Sequence, residues 1–212
     1  MSKLEQRIIP AEELEIRAEQ DGKIKRISGY GIVYNRETQL HDDLYEVIRP
    51  GAASEFLSTN PDVKCCLNHN PERIFGRTKS GTVKLEENSK GVKYTAKPPD
   101  AQWARDAIAS IERGDIDGSS FTFAVLPQDE KVTKRSDGTY LREIFKLSRI
   151  GEMGPVTDPA YLDTTAEARA KEEYESLTAS LRTQEQADEI ADIMRTHGLR
   201  RKRLELKAKE LV

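Results

Sequence analysis

Cysteine and histidine, the side chains most often recruited for metal and redox chemistry, are almost absent from this sequence. There are two cysteines and three histidines in 212 residues, and Cys65 and Cys66 are neighbours. Adjacent cysteines lack the CxxC spacing of a zinc or redox site, and no second pair exists to complete four ligands. In DVKCCLNH they read as small apolar strand residues, so no metal or other cofactor is expected. Long hydrophobic runs are also missing. No segment has the length of a membrane span, and the opening MSKLEQRIIP has no apolar signal-peptide core, so a cytosolic setting without membrane is expected. Neither sign of charge dominates: 34 Lys and Arg against 37 Asp and Glu leave a net charge of −3, which gives no footprint for a specific nucleic acid. Walker A and GxGxxG loops are absent, removing the usual phosphate cradles. Apolar residues make up 36% and charged residues 33%, a lean ratio that predicts one part with a core and another largely solvated.

What is present changes character near Ala166. Before it come short runs such as KIKRISGYGIVYN, LYEVIRPGA, VKCCLNH, TVKLEE, GVKYTAKPP and SSFTFAVLP. Several alternate apolar and polar residues, and Gly, Asn, Asp or Pro bounds them, as expected for strands of an antiparallel sheet or barrel. The Asp-Gly pair in KRSDGTYLREI predicts a hairpin turn. Two helices interrupt the strands. A short one lies in GAASEFLSTN behind Pro50. The other, DAQWARDAIASIERG, has Asp100 as N-cap and Gly114 as C-terminal stop, with Trp103, Ala107, Ile108 and Ile111 on one face. From Ala166 onward Gly and Pro nearly vanish, and Leu177, Leu181, Ile190, Ile193 and Met194 recur at helical spacing. Gly198 divides that stretch into two helices. Its charges read either as solvated faces with i,i+4 pairs or as a partner-binding, coiled-coil appendage.

The histidines differ in setting. His197 lies beside Gly198, where a helix C-terminus favours a cation. His41 lies in the polar stretch QLHDDLYE with Asp42 and Asp43, a loop more than a metal site. His69 follows the apolar run VKCCL, and a histidine at a strand end is held rigidly yet faces a cleft, as a general base must. In GDIDGSSFTF, alternation places Ser120, Thr122 and Ala124 on one face and Phe121, Phe123 and Val125 on the other. A hydroxyl needs a base to become a nucleophile, and a histidine on a neighbouring strand is the usual supplier. Gly118 permits close approach, and nearby amides could supply oxyanion donors. Other motifs fail here. Thr122 stands where a GxSxG elbow needs its last glycine, and Leu126 stands where an EF-hand loop needs its glutamate.

The ordered blocks RPGAASEFL, VKCCLNHNPERIFGRT, GVKYTAK, RGDIDGSSFTFAV and IGEMGPVTDPAY closely resemble the tailed-phage prohead (capsid maturation) serine proteases, distant relatives of the herpesvirus assemblin proteases. The matching pieces are Pro50-Gly51-Ala52, His69 with Gly76, Gly118 through Phe123, and Glu152 through Ala160, and the resemblance covers roughly residues 25–168. It implies an α+β fold, mainly an antiparallel β-barrel of herpesvirus-protease type with a few flanking helices. The protease domain would occupy 1–168, and a charged helical tail at 169–212 would bind scaffold or be removed by self-cleavage. The resemblance gives His69 as catalytic histidine, Ser120 as nucleophile and Glu152 as the acid that orients His69. EMGPV stands where the family commonly has EVSLV. The herpesvirus relatives use a second histidine as third member, but neither His41 nor His197 falls in a matching block. Weaker oxyanion candidates are Ser119 with its backbone and Arg149. The implied function is a serine endopeptidase acting in the host cytoplasm, inside the assembling prohead. Its partners would be the major capsid protein precursor, with its scaffolding segment, and the protease itself, with a homodimer or higher oligomer left open. Two alternatives are a non-catalytic scaffold or assembly protein with the same fold and a β-domain binding module with a coiled-coil tail. Both leave His69 and Ser120 apart.

Overall fold

The computed structural model describes residues 4–9, 17–21, 24–157, 175, 179 and 194–195, with backbone alone at 17–21, 24 and 25. The chain divides into two units, Met1–Glu167 and Ala168–Val212. In the second unit only Glu175, Ala179, Met194 and Arg195 are described, all helical. The rest of the tail expected over 169–212, including the break at Gly198, lies outside the described residues.

Thirteen strands, numbered in chain order, form three sheets among the described residues. The first sheet runs β1 (Glu5–Ile9), β10 (Gly118–Ala124), β13 (Arg149–Val156), β6 (Lys64–Cys66) and β7 (Ile74–Arg77). The second runs β11 (Glu130–Lys134), β12 (Tyr140–Ile144), β5 (Leu44–Ile48) and β4 (Glu37–His41). The third runs β2 (Arg17–Asp21), β3 (Ile24–Val33), β9 (Gly91–Ala96) and β8 (Val83–Glu87). Antiparallel pairing prevails, as expected, but β12 runs parallel to β5 and β13 parallel to β6. No recorded ladder among the described residues joins the sheets into the closed barrel that the sequence suggested. Alternation marks which residues share a face of a strand, but it does not select the strand's neighbour.

One core gathers side chains from all three sheets, including Ile27, Tyr94, Phe121, Phe123, Ile48 and Ile144. Burial of each such side chain is worth about 1.5–3 kcal/mol. Helix α1 (Ser54–Ser58) follows Pro50 as expected. Helix α2 (Gln102–Arg113) buries Ala104, Ala107, Ile108 and Ile111, and Gly114 stops it with φ +81°. The predicted cap is one residue off. Ala101 is the N-cap and offers no side-chain bond, while Asp100 pairs with Arg105. The hairpin between β11 and β12 closes as its Asp-Gly pair requires. Asp137 accepts the Thr139 amide at 2.9 Å, and Gly138 takes φ +91°.

Gly154 has less room for a side chain than Gly76 or Gly151, the other glycines of the first sheet whose surroundings are close. It pairs with Ser120 across β10 and β13, and an added Cβ would meet the Cys66 carbonyl oxygen at 2.2 Å. A backbone atom cannot swing aside as a flexible side chain can. Gly154→Ala should therefore force β6 from β13 at a cost of about 1–3 kcal/mol or more. Calorimetry should show this as a Tm lowered by about 2–12 °C, and an unchanged Tm would mean that the two strands part without strain.

Candidate active site

Neighbouring residues of a strand point to opposite faces, and on β10 this separates the two serines. Ser119 Oγ lies 3.5 Å from the Tyr94 hydroxyl and 3.4 Å from the Gly154 carbonyl. That is the core side, where the Phe121 and Phe123 rings stack with centroids 5.1 Å apart. Ser120 faces the other way, with its Oγ 2.6 Å from His69 Nε2. His69 Nδ1 in turn lies 2.6 Å from Glu152 Oε1. The structure thus brings together Ser120, His69 and Glu152, which are far apart in sequence.

Each partner is held by a different device. Glu152 shares the Ser120 face because Thr122 pairs with Glu152 just as Ser120 pairs with Gly154, two residues along each strand. The Glu152 amide also donates to Thr122 Oγ1 at 3.1 Å. His69 is not at the strand end itself but three residues past β6, in a turn. Asn68 and His69 both take left-handed backbone angles, φ +50° and +55°. Such non-glycine residues cost about 1–3 kcal/mol each and persist where surrounding bonds over-determine them. Here the Asn68 amide donates to the Pro155 carbonyl at 3.0 Å, and Asn68 Oδ1 accepts the Thr157 amide at 2.9 Å. The turn that carries His69 is therefore pinned to the strand that carries Glu152.

The electrostatics suit proton transfer. The hydrogen bond from His69 holds the Glu152 carboxyl below its ordinary range, against burial that pushes it up. The His69 charge, the Cys66 thiol and Lys64 add to the lowering. Burial first, then Glu152, pushes the Cys66 thiol up to about 12, so Cys66 stays a protonated donor to the carboxylate. With Nδ1–H given to Glu152, Nε2 presents its lone pair to the serine hydroxyl. The Arg7 carbonyl oxygen is a second neighbour of that hydroxyl, 2.9 Å from Oγ. A hydroxyl has one proton, so His69 and Arg7 compete for it.

The two weaker candidates lie elsewhere. Ser119 pairs with both Ile9 and Pro155, which places its backbone within the ladders and its side chain in the core. Arg149 is exposed at the other end of β13, opposite Ala124. Its five-residue separation from Gly154 spans roughly 16 Å of strand. His41 closes β4, with its Nδ1 3.4 Å from Asp43, and His197 lies outside the described residues. No cluster of three or more potential metal ligands occurs among the described residues. Sequence reasoning missed three participants. Thr122 could have been found, since alternation puts it on the Ser120 face. Cys66 was read as apolar filler, and nothing in the sequence linked Arg7 to Ser120.

A family model described as caudovirus prohead serine protease matches residues 12–178. Among solved structures, the bacteriophage T4 capsid assembly protease gp21 is similar at 13% identity and a TM-score of 0.37, over 72% of this chain and 98% of that chain. A comparison with curated proteins gives no match.

Proposed function

We propose, for a chain that belongs to the caudovirus prohead serine protease family, that it is a serine endopeptidase of capsid maturation with Ser120 as nucleophile. The observation that carries this is the pair of 2.6 Å contacts linking Ser120, His69 and Glu152. Ser120 Oγ attacks the peptide carbonyl carbon while His69 Nε2 takes the hydroxyl proton. As the tetrahedral intermediate collapses, His69 returns that proton to the departing amine, leaving an ester on Ser120. Water, deprotonated by the same nitrogen, then attacks the ester and regenerates the serine. Glu152 keeps Nδ1 protonated and offsets the charge of the imidazolium. No step needs a cofactor.

The substrates proposed are the scaffolding segment of the capsid precursor and the chain itself, cut inside the assembling prohead. The tail from 169 to 212 would bind scaffold or be released by self-cleavage, and closure of the three sheets into a barrel belongs to the same reading. A non-catalytic assembly protein gives no reason for an acid, a base and a hydroxyl in line, so the protease reading is preferred. Capsid precursor should be incubated with the parent protein, with Ser120→Ala and with Ser119→Ala, and followed by intact mass. Parent and Ser119→Ala should both release precursor fragments, and Ser120→Ala should release none. Cleavage by Ser120→Ala at the parent rate would overturn the proposal.

A further inference from the structure

Ser120 is 0% exposed, although a nucleophile that cuts peptides must admit a chain to its hydroxyl. Beside it in the sheet lies β1, at the margin of the first sheet and paired among the described residues with β10 alone, and the carbonyl oxygen of Arg7 on that strand reaches Ser120 Oγ. We propose that β1 is a removable cover. It occupies the edge of β10 where an extended peptide substrate docks, and the niche that holds Arg7 takes a basic side chain of that substrate. The inference rests on the protease reading of Ser120.

Three observations carry it. The first is the place of β1 in the sheet. Ile8 pairs with Ser120 and Arg7 with Phe121, so β1 already runs as an added strand along the nucleophile's strand. Its departure would break one ladder and leave β10 with the open edge that recruits extended peptides. β1 also precedes the residues 12–178 that match the family model. A small cavity is lined by Arg7, Ile8 and Ile9 together with Val33, Arg36, Ile48 and Phe121, so that part of β1 is not close-packed.

The second is the proton. Ser120 Oγ lies 2.9 Å from the Arg7 carbonyl oxygen, and a hydroxyl that donates there cannot donate to His69. That oxygen faces the serine as an acceptor instead of turning the carbonyl carbon toward attack. With the edge filled, the Arg7 carbonyl competes with His69 for the nucleophile's proton, and the arrangement is idle whenever the hydroxyl donates to Arg7.

The third is charge. Arg7 forks onto Glu46 with Nε–Oε1 2.7 Å and Nη2–Oε2 2.8 Å, and its guanidinium lies 5.3 Å from the centre of the Phe123 ring. Glu46 is 3% exposed and also accepts from Arg142 at 2.9 Å, while Arg142 donates to Glu130 at 2.6 Å. When β1 leaves, Arg7 and Glu5 go together. Glu46 and Glu130 then face Arg142, with Arg36 bordering the same cavity, and Glu46 has lost the fork that Arg7 gave it. A buried carboxylate short of one partner, beside an aromatic face, selects a cation, with arginine's fork the best fit.

The test uses the full chain carrying Ser120→Ala, with and without Arg7→Glu, which sets like charges against each other in the niche. The probe is Glu-Gln-Arg-Ile-Ile-amide carrying fluorescein on its N-terminal nitrogen in place of an acetyl group, read by anisotropy. The Arg7→Glu chain should bind it roughly tenfold or more tightly than the chain whose own strand competes at high effective concentration. Adding Glu46→Gln, or replacing the probe's arginine by glutamate, should weaken binding by roughly tenfold or more, the worth of a charge-assisted hydrogen bond. Equal affinity for both chains would overturn the proposal. Should Arg7→Glu fail to fold, hydrogen exchange on the unaltered chain decides. Excess unlabelled peptide should speed exchange of the β1 amides, and unchanged exchange would overturn the proposal. Neither readout requires turnover. A chain that binds the peptide yet cuts nothing would sink only the protease reading, and an active protease that ignores the peptide would sink only this inference.

Discussion

Ser120→Ala and His69→Ala should each lower kcat/KM for peptide cleavage by about 10⁴-fold or more, and the double variant should be no worse than the worse single one. The reason is geometric. Ser120 reaches its base only through the 2.6 Å contact with His69 Nε2, so either deletion removes the same proton transfer. The residual rate comes from substrate binding alone, which neither change touches directly. A full kinetic comparison of parent, two single variants and the double variant on one peptide substrate would measure this. Losses that multiply would show that Ser120 and His69 act independently, which the contact does not allow.

Glu152→Gln should cost about 10²–10⁴-fold in kcat with KM little changed, because it acts through His69 and not on substrate. The amide can turn its NH2 group toward Nδ1, which then accepts, and Nε2 carries the proton that should have come from Ser120. Stability should respond to pH as well. A carboxyl whose folded pKa is depressed contributes stability above its unfolded value, and that contribution is lost as pH falls through the folded value. The Glu152 carboxyl is lowered from its ordinary 4.5 mainly by the His69 hydrogen bond. Urea midpoints measured from neutral pH downward should therefore fall for the parent from about 4.5 into more acid solution. The Glu152→Gln variant should start lower and lose less over that window. Parallel curves would mean that the carboxylate's link to His69 contributes nothing to folding.

Much of this site was legible because it depends on a period of two. Once Ser120 was set on a strand, its face followed, and the apolar run before His69 marked a strand near that histidine, but the catalytic roles of Ser120, His69 and Glu152 came from the resemblance to the prohead proteases. Less legible were features that depend on which strand lies next to which. The parallel pairings of β13 with β6 and β12 with β5 leave no local mark, since the same alternation serves either direction. The sequence EQRII gave no strand signal at all. Glu5 and Arg7 become suited to a sheet only because Arg142 and Glu46, 137 and 39 residues away, meet them there. The left-handed turn of Asn68 and His69 suits its residue types, which enter that region more readily than most, but its anchors on Pro155 and Thr157 lie 87 and 89 residues away and were hidden.

The two adjacent serines look like spare copies of one another, but the aromatic residues after them prevent that. A slip of β10 by one residue would seat Ser119 beside His69 with an identical hydroxyl. The same slip would turn Phe121 and Phe123, 2% and 0% exposed, out of the core. That loss is about 3–6 kcal/mol for the two rings, enough to keep the slipped state rare. The ring pair thus works as a parity check, and the protein settles which of two chemically equal groups meets the base by counting residues in the strand.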